Sequence, residues 1–171
     1  MIKLKFKLNA NILNILLSIY FCIFLNISCF KYIFNNMYII DAKSMFFMLD
    51  MSALLFFIHY TILNIICIPY VFKFLVVLIL LISSLANFYM NEYGVFIDTD
   101  MIRNVFETNT SEALDLVNLK FILNFIIFGV IPSVFISLQE IVYDKKFIRK
   151  KLLNIFYALI FVAVSAPIFY K

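Results

Sequence analysis

Three polar side chains recur every four residues in a chain that otherwise avoids polarity: Asn104, Thr108 and Glu112. On one helix, residues four apart share a face. An amide, a hydroxyl and a carboxylate grouped in this way form a cradle for a small cationic amine. The carboxylate attracts the ammonium, and the other two groups fix its orientation by hydrogen bonds. A solvated helix face with local caps has the same spacing, so spacing alone leaves both readings open.

The three residues belong to the stretch YGVFIDTDMIRNVFETNTSEALDLVN, residues 93–118. From Glu92 to Asp115 it carries six acids and one arginine. A simple connector needs only a few residues, so this one is long for that task. Its pattern is helical. Asp98, Thr99 or Asp100 can cap a helix start, and Met101, Ile102, Val105 and Phe106 follow as an apolar stripe. Such a helix is expected to lie flat on a membrane surface. Asn109 or Thr110 can cap a second short helix, with Glu112 three residues after Asn109 as in a capping box. Leu114, Leu116 and Val117 would pack that helix down.

The elements that must position this segment are hydrophobic. Of 171 residues, 65% are hydrophobic and 14% charged, with a mean hydropathy of +1.06. A soluble domain has about 25% charged residues, so a water-soluble globule is excluded. The net charge of +4 does not indicate nucleic-acid binding, because the basic residues sit at the ends of apolar runs, as membrane anchors do.

A bilayer core about 30 Å thick needs about 20 apolar residues in a helix. Five stretches without charge qualify: Leu8–Phe30, Met51–Phe72, Phe74–Asn91, Phe121–Gln139 and Leu152–Tyr170. The fold class expected is an all-α membrane protein. Five transmembrane helices are placed near 8–30, 46–68, 74–91, 120–142 and 152–170. Short interfacial helices within 92–118 join the third to the fourth. Pro69 and Lys73 mark a tight turn between the second and third.

Lysine and arginine set the orientation. Lys3, Lys5, Lys7, Lys73 and the run DKKFIRKK at 144–151 fall on one side and hold nine of the fourteen bases. Eight of the ten acids fall on the other. The basic side is expected to be cytoplasmic, which puts the N-terminus inside and Lys171 outside. The run at 144–151 is expected to hold this topology through anionic lipid.

The polar run from Asp98 to Ala113, D-x-D-M-I-R-N-V-x-E-T-N-x-x-E-A, resembles the segment after the third membrane helix of the lipid A phosphoethanolamine transferases. That family includes the transferases of transferable colistin resistance. The run is long and ungapped, and the five-span layout agrees. The resemblance implies a bacterial inner-membrane protein whose five-helix domain precedes a periplasmic catalytic domain of alkaline-phosphatase/sulfatase type. That domain uses zinc and a threonine nucleophile. It takes phosphoethanolamine from phosphatidylethanolamine and passes it to lipid A or a related acceptor. The family's headgroup-contacting Asn, Thr and Glu match Asn104, Thr108 and Glu112.

The departure is that these 171 residues match only the membrane part. They offer no catalytic nucleophile and no zinc ligand set, so they are expected to be inactive alone. The alternative is a non-enzymatic membrane protein, either a scaffold or a transporter fragment. A transporter is expected to bury charge or to break paired helices at mid-membrane, and only His59 is ionisable there.

His59 reads as a hydrogen-bonded packing residue, since zinc needs three or four ligands. Cys22, Cys29 and Cys67 read as packed or lipid-facing thiols. Asp50 reads either as a functional carboxylate or as a solvated helix start. Asn11, Asn14, Asn26, Asn64, Asn87 and Asn124 read as packing, with Asn124 facing a cavity. Gly129 and Pro132 mark close contact or a kink.

Overall fold

The computed structural model describes residues 7–36, 41–94, 99, 102, 103, 107, 117–144 and 147–165. Nearly all of these are helical. The chain begins with a short strand, β1 (Lys7–Asn9), and then α1 (Ala10–Phe24) and α2 (Ile27–Asn35). Asn9 starts α1 by accepting a hydrogen bond from the Asn11 N–H at 2.9 Å. The run expected as one helix over 8–30 is divided at Leu25–Asn26 by a 44° bend. There the Asn26 side chain donates to the Phe21 carbonyl at 2.9 Å, so it takes the role of a main-chain N–H and lets the ladder break.

Helix α3 (Ala42–Ile66) opens on Asp41, whose Oδ1 accepts from both the N–H and the hydroxyl of Ser44 at 2.8 Å. It stops before Ile68-Pro69-Tyr70-Val71, a turn closed by the Val71 N–H on the Ile68 carbonyl. Pro69 suits the second position of such a turn. The third needs positive φ, which Tyr70 adopts at +72° while fully exposed. Helix α4 (Phe72–Tyr93) follows.

Helix α5 (Leu119–Phe125), a π-helical turn (Ile126–Val130) and α6 (Ile131–Leu138) then form one apolar rod. Pro132 lacks an N–H, and its ring crowds the carbonyl four residues back. The widened turn just before it absorbs that conflict without ending the helix. Strand β2 (Glu140–Val142) pairs in parallel with β1, Leu8 opposite Ile141. Helix α7 (Phe147–Ser165) completes the described chain.

The strand pair differs from the expected helical ends at Leu8 and at 142. Three residues per strand are too few to show an alternating pattern. The two segments are paired only because distant helices deliver them to each other.

Residues 1–73 and 138–171 form one compact unit, and 74–137 another. In the first, α3 packs against α1 and α7. Phe21 stacks on His59 with ring centroids 5.7 Å apart, and Phe57 meets Phe161 at 4.2 Å. In the second, a Cβ placed on Gly129 would collide with the side chain of Ser84, so α4 lies close against the π turn. Among the described residues, three helices are long and apolar enough to cross a membrane: Ala42–Ile66, Phe72–Tyr93 and Leu119–Leu138. Counted as one broken span, the bent pair α1–α2 is a fourth. Helix α7 carries Arg149, Lys150 and Lys151 near its start and stands apart from that count.

The buried helix faces mix apolar side chains with small and polar ones. On α1, Leu13, Asn14, Leu17, Ser18, Phe21 and Cys22 are buried while Ile12, Leu16, Ile19 and Ile23 are exposed. On α4, Val76, Leu80, Ser84 and Phe88 are buried at four-residue steps. Lipid is as apolar as leucine, so small and polar residues gain more from the helix interface.

Candidate functional site

The predicted amine cradle of Asn104, Thr108 and Glu112 lies outside the described residues, as do the predicted caps at Asp98, Asp100, Asn109 and Thr110. Within the polar stretch, Thr99, Ile102, Arg103 and Glu107 are helical and exposed. The structure describes in full the two helix ends that bracket the stretch, the end of α4 and the start of α5.

The α4 end is built from Asn87 and Asn91, one turn apart. Asn91 donates to both the carbonyl and the side-chain oxygen of Asn87, at 2.8 and 2.7 Å. The α5 start is fixed by Asn118, whose side chain accepts from the Phe121 N–H at 2.9 Å. Lys120 then reaches Glu92 across the gap, Nζ to Oε1 at 2.8 Å, so the two ends of the polar stretch are clasped. The clasp is open to solvent, with side-chain exposures of 74% and 38%, so it adds little to stability. Its value is positional.

Under the clasp lies an aromatic group. Phe88 meets Phe121 edge-on at 5.2 Å, Tyr89 stacks on Tyr93 at 5.8 Å, and Phe121 stacks on Phe125 at 6.4 Å. Tyr and Phe faces carry negative quadrupole charge and attract cations within about 6 Å, so an aromatic rim beside an acidic segment suits an ammonium. Sequence reasoning did not pair Glu92 with Lys120. The available signal was opposite charge at the two ends of one long connector.

Other candidates resolve differently. His59 Nδ1 sits 2.7 Å from the Leu55 carbonyl on its own helix and stacks on Phe21, the packing role expected of it. Asp50 is the ninth residue of α3, so the helix start belongs to Asp41 and Asp50 lies two turns inside. One of its carboxylate oxygens is buried without a hydrogen-bond partner among the described residues, as is the side-chain oxygen of Asn124.

The three cysteines are free, with Cys22 and Cys67 buried. Cys22 donates to the Ser52 carbonyl at 3.4 Å. Most other buried polar groups bond back to their own helix: Ser18 to Asn14, Thr61 to Phe57, Asn64 to Tyr60. Bonds of this kind satisfy a polar group locally in lipid, where water cannot. Among the described residues no three His, Cys, Asp or Glu side chains gather to hold a metal.

Residues 55–171 match the family described as phosphoethanolamine transferase EptA/EptB. The phosphatidylethanolamine transferase Mcr-2 of Escherichia coli is 34% identical over 74 residues, covering 43% of this chain and 14% of that protein. The phosphoethanolamine transferase EptA of Salmonella typhimurium is 22% identical over 160 residues, 92% of this chain and 29% of that protein. Among solved structures, the lipooligosaccharide phosphoethanolamine transferase A of Neisseria meningitidis superposes with a TM-score of 0.86 at 23% identity. That match covers 93% of this chain and 30% of the other. The chain thus spans less than a third of each of these relatives.

Proposed function

The chain belongs to the EptA/EptB phosphoethanolamine transferase family, and from that membership we propose that it is the membrane part of an enzyme that holds phosphatidylethanolamine for transfer of phosphoethanolamine to lipid A or a related envelope acceptor. The observation that carries the proposal is the family match over 55–171, which includes the whole polar stretch. On this reading Glu112 attracts the donor's ammonium, and Asn104 and Thr108 orient the headgroup. The aromatic rim of Tyr89, Tyr93 and Phe121 borders the segment that bears them. The clasp of Glu92 on Lys120 holds the segment's two ends at a fixed separation.

Zinc and the attacking nucleophile belong, on this reading, to a catalytic domain of the whole enzyme. The 171 residues alone transfer nothing. The protein resides in a bacterial inner membrane with five spans, the fifth containing α7. Its basic end faces the cytoplasm and its polar stretch the periplasm.

The test is made in the whole enzyme. Glu112→Ala and Asn104→Ala each remove a hydrogen bond to a charged headgroup and are expected to lower transfer to lipid A about ten- to a hundredfold. Protein abundance stays at the wild-type level. Wild-type transfer in both variants would defeat the assignment of the donor pocket.

A further inference from the structure

We propose that the mouth between the α3–α4 turn and the start of α7 binds one anionic membrane phospholipid. A groove of about 1300 Å³ opens there, and Cys67, Ile68 and Pro69 face it from the turn. From α7, Ile148, Leu152 and Phe156 line it at four-residue steps, 72%, 62% and 58% exposed. They form one ridge about 12 Å long, apolar throughout, which is a track for an acyl chain.

The polar end of the groove is basic. Arg149 and Lys151 line it, with Asp144 the one acid among its described lining residues. Lys151 is fixed in place, donating to the carbonyls of Ile65 at 3.1 Å and Cys67 at 3.2 Å. Asp144 is already paired with Lys150. Arg149 is exposed, and no acidic side chain among the described residues pairs with it.

A phosphate at this end therefore meets a guanidinium with no acidic partner among the described residues, suited to two parallel hydrogen bonds. The ammonium of a zwitterionic headgroup would find only a carboxylate already neutralised. A soluble anion would leave the apolar ridge unused. Charge and shape together select a lipid with net negative charge. The inference uses the membrane-spanning character of the chain and is independent of the donor pocket proposed above, whose ligand is zwitterionic.

The test is native mass spectrometry of the protein in detergent with equimolar phosphatidylglycerol and phosphatidylcholine of matched chains. Phosphatidylglycerol is expected to be retained several-fold over phosphatidylcholine. Arg149→Gln should lower that preference about fivefold, the effect of one basic residue at a lipid surface. Lys43→Gln removes an equal charge from the far end of α3 and should leave the preference intact. Leu152→Asn should weaken retention of both lipids while keeping their ratio. Equal retention of the two lipids by the wild type overturns the proposal. So does an equal loss in Arg149→Gln and Lys43→Gln, or displacement of the lipid by millimolar inorganic phosphate. Loss of transfer activity in Glu112→Ala bears only on the donor pocket.

Discussion

The two compact units differ in what their lysines hold: the first has main-chain ties beside one exposed pair, Lys150 with Asp144, and the second, among the described residues, has an exposed pair alone. In the first, Lys73 donates to the Gln139 carbonyl and Lys151 to the carbonyls of Ile65 and Cys67. No carboxylate takes part in these bonds. They cap main-chain groups left free at the ends of helices, where the negative end of the helix dipole also favours a cation. In the second, Lys120 meets a carboxylate, Glu92, in the open. A tie to a neutral main-chain carbonyl has no second charge for salt to screen and cannot titrate away at its acceptor. An exposed ion pair is screened and cheap to exchange. The first unit is thus fastened by cations, while the second depends on close packing around Gly129 and the Phe88–Phe121 contact.

The largest effect should come from attacking that packing. Gly129→Leu places a branched side chain where even a Cβ meets Ser84. It should cost about 1–3 kcal/mol, read as a lower midpoint in thermal unfolding in detergent. A neutral outcome would mean that the second unit is not shape-limited.

Next comes a direct contrast of the two lysines. Lys151→Met should destabilise by about 1–2 kcal/mol, since two carbonyls lose a charged donor. Lys120→Met should cost less than Lys151→Met, and that cost should fade in 0.5 M salt while the Lys151 cost persists. Equal salt sensitivity at both sites would erase the distinction.

The smallest effect concerns Asp41. The Ser44 N–H and hydroxyl hold its carboxyl below the ordinary value of 3.8. A depressed carboxyl stabilises the fold above its unfolded pKa and loses that contribution as pH falls through the folded value. Helicity of the wild type should therefore decline slightly more between pH 5 and pH 3 than that of Asp41→Asn, whose cap does not titrate. Circular dichroism at the two pH values checks this.

Much of the fold could be read directly. The apolar runs gave the helices, and Pro69 with Lys73 gave the turn. Asn118 and Asp41 cap helices as their side chains favour, though neither was among the expected caps. The bend at Asn26 was not legible, because an asparagine in an apolar run looks the same whether it bonds across to a neighbour or back to its own backbone. The β1–β2 pair was hidden by its length. In the site, the polar stretch stood out by charge alone. The clasp of Glu92 on Lys120 did not, because 28 residues separate its partners.

The sequence by itself determined that this chain lives in lipid and where its polar stretch interrupts the helices. Both follow from local composition against the thickness of a bilayer, and the run from Asp98 to Ala113 added the family resemblance. Only the tertiary structure decided which face of each helix is buried, because an all-apolar helix has no hydrophobic stripe to reveal it. It likewise decided that Lys73 and Lys151 serve main-chain carbonyls and that Arg149 is left to face the groove. Those roles depend on which distant backbone groups come within hydrogen-bond reach of a flexible cation, and no local pattern encodes that proximity.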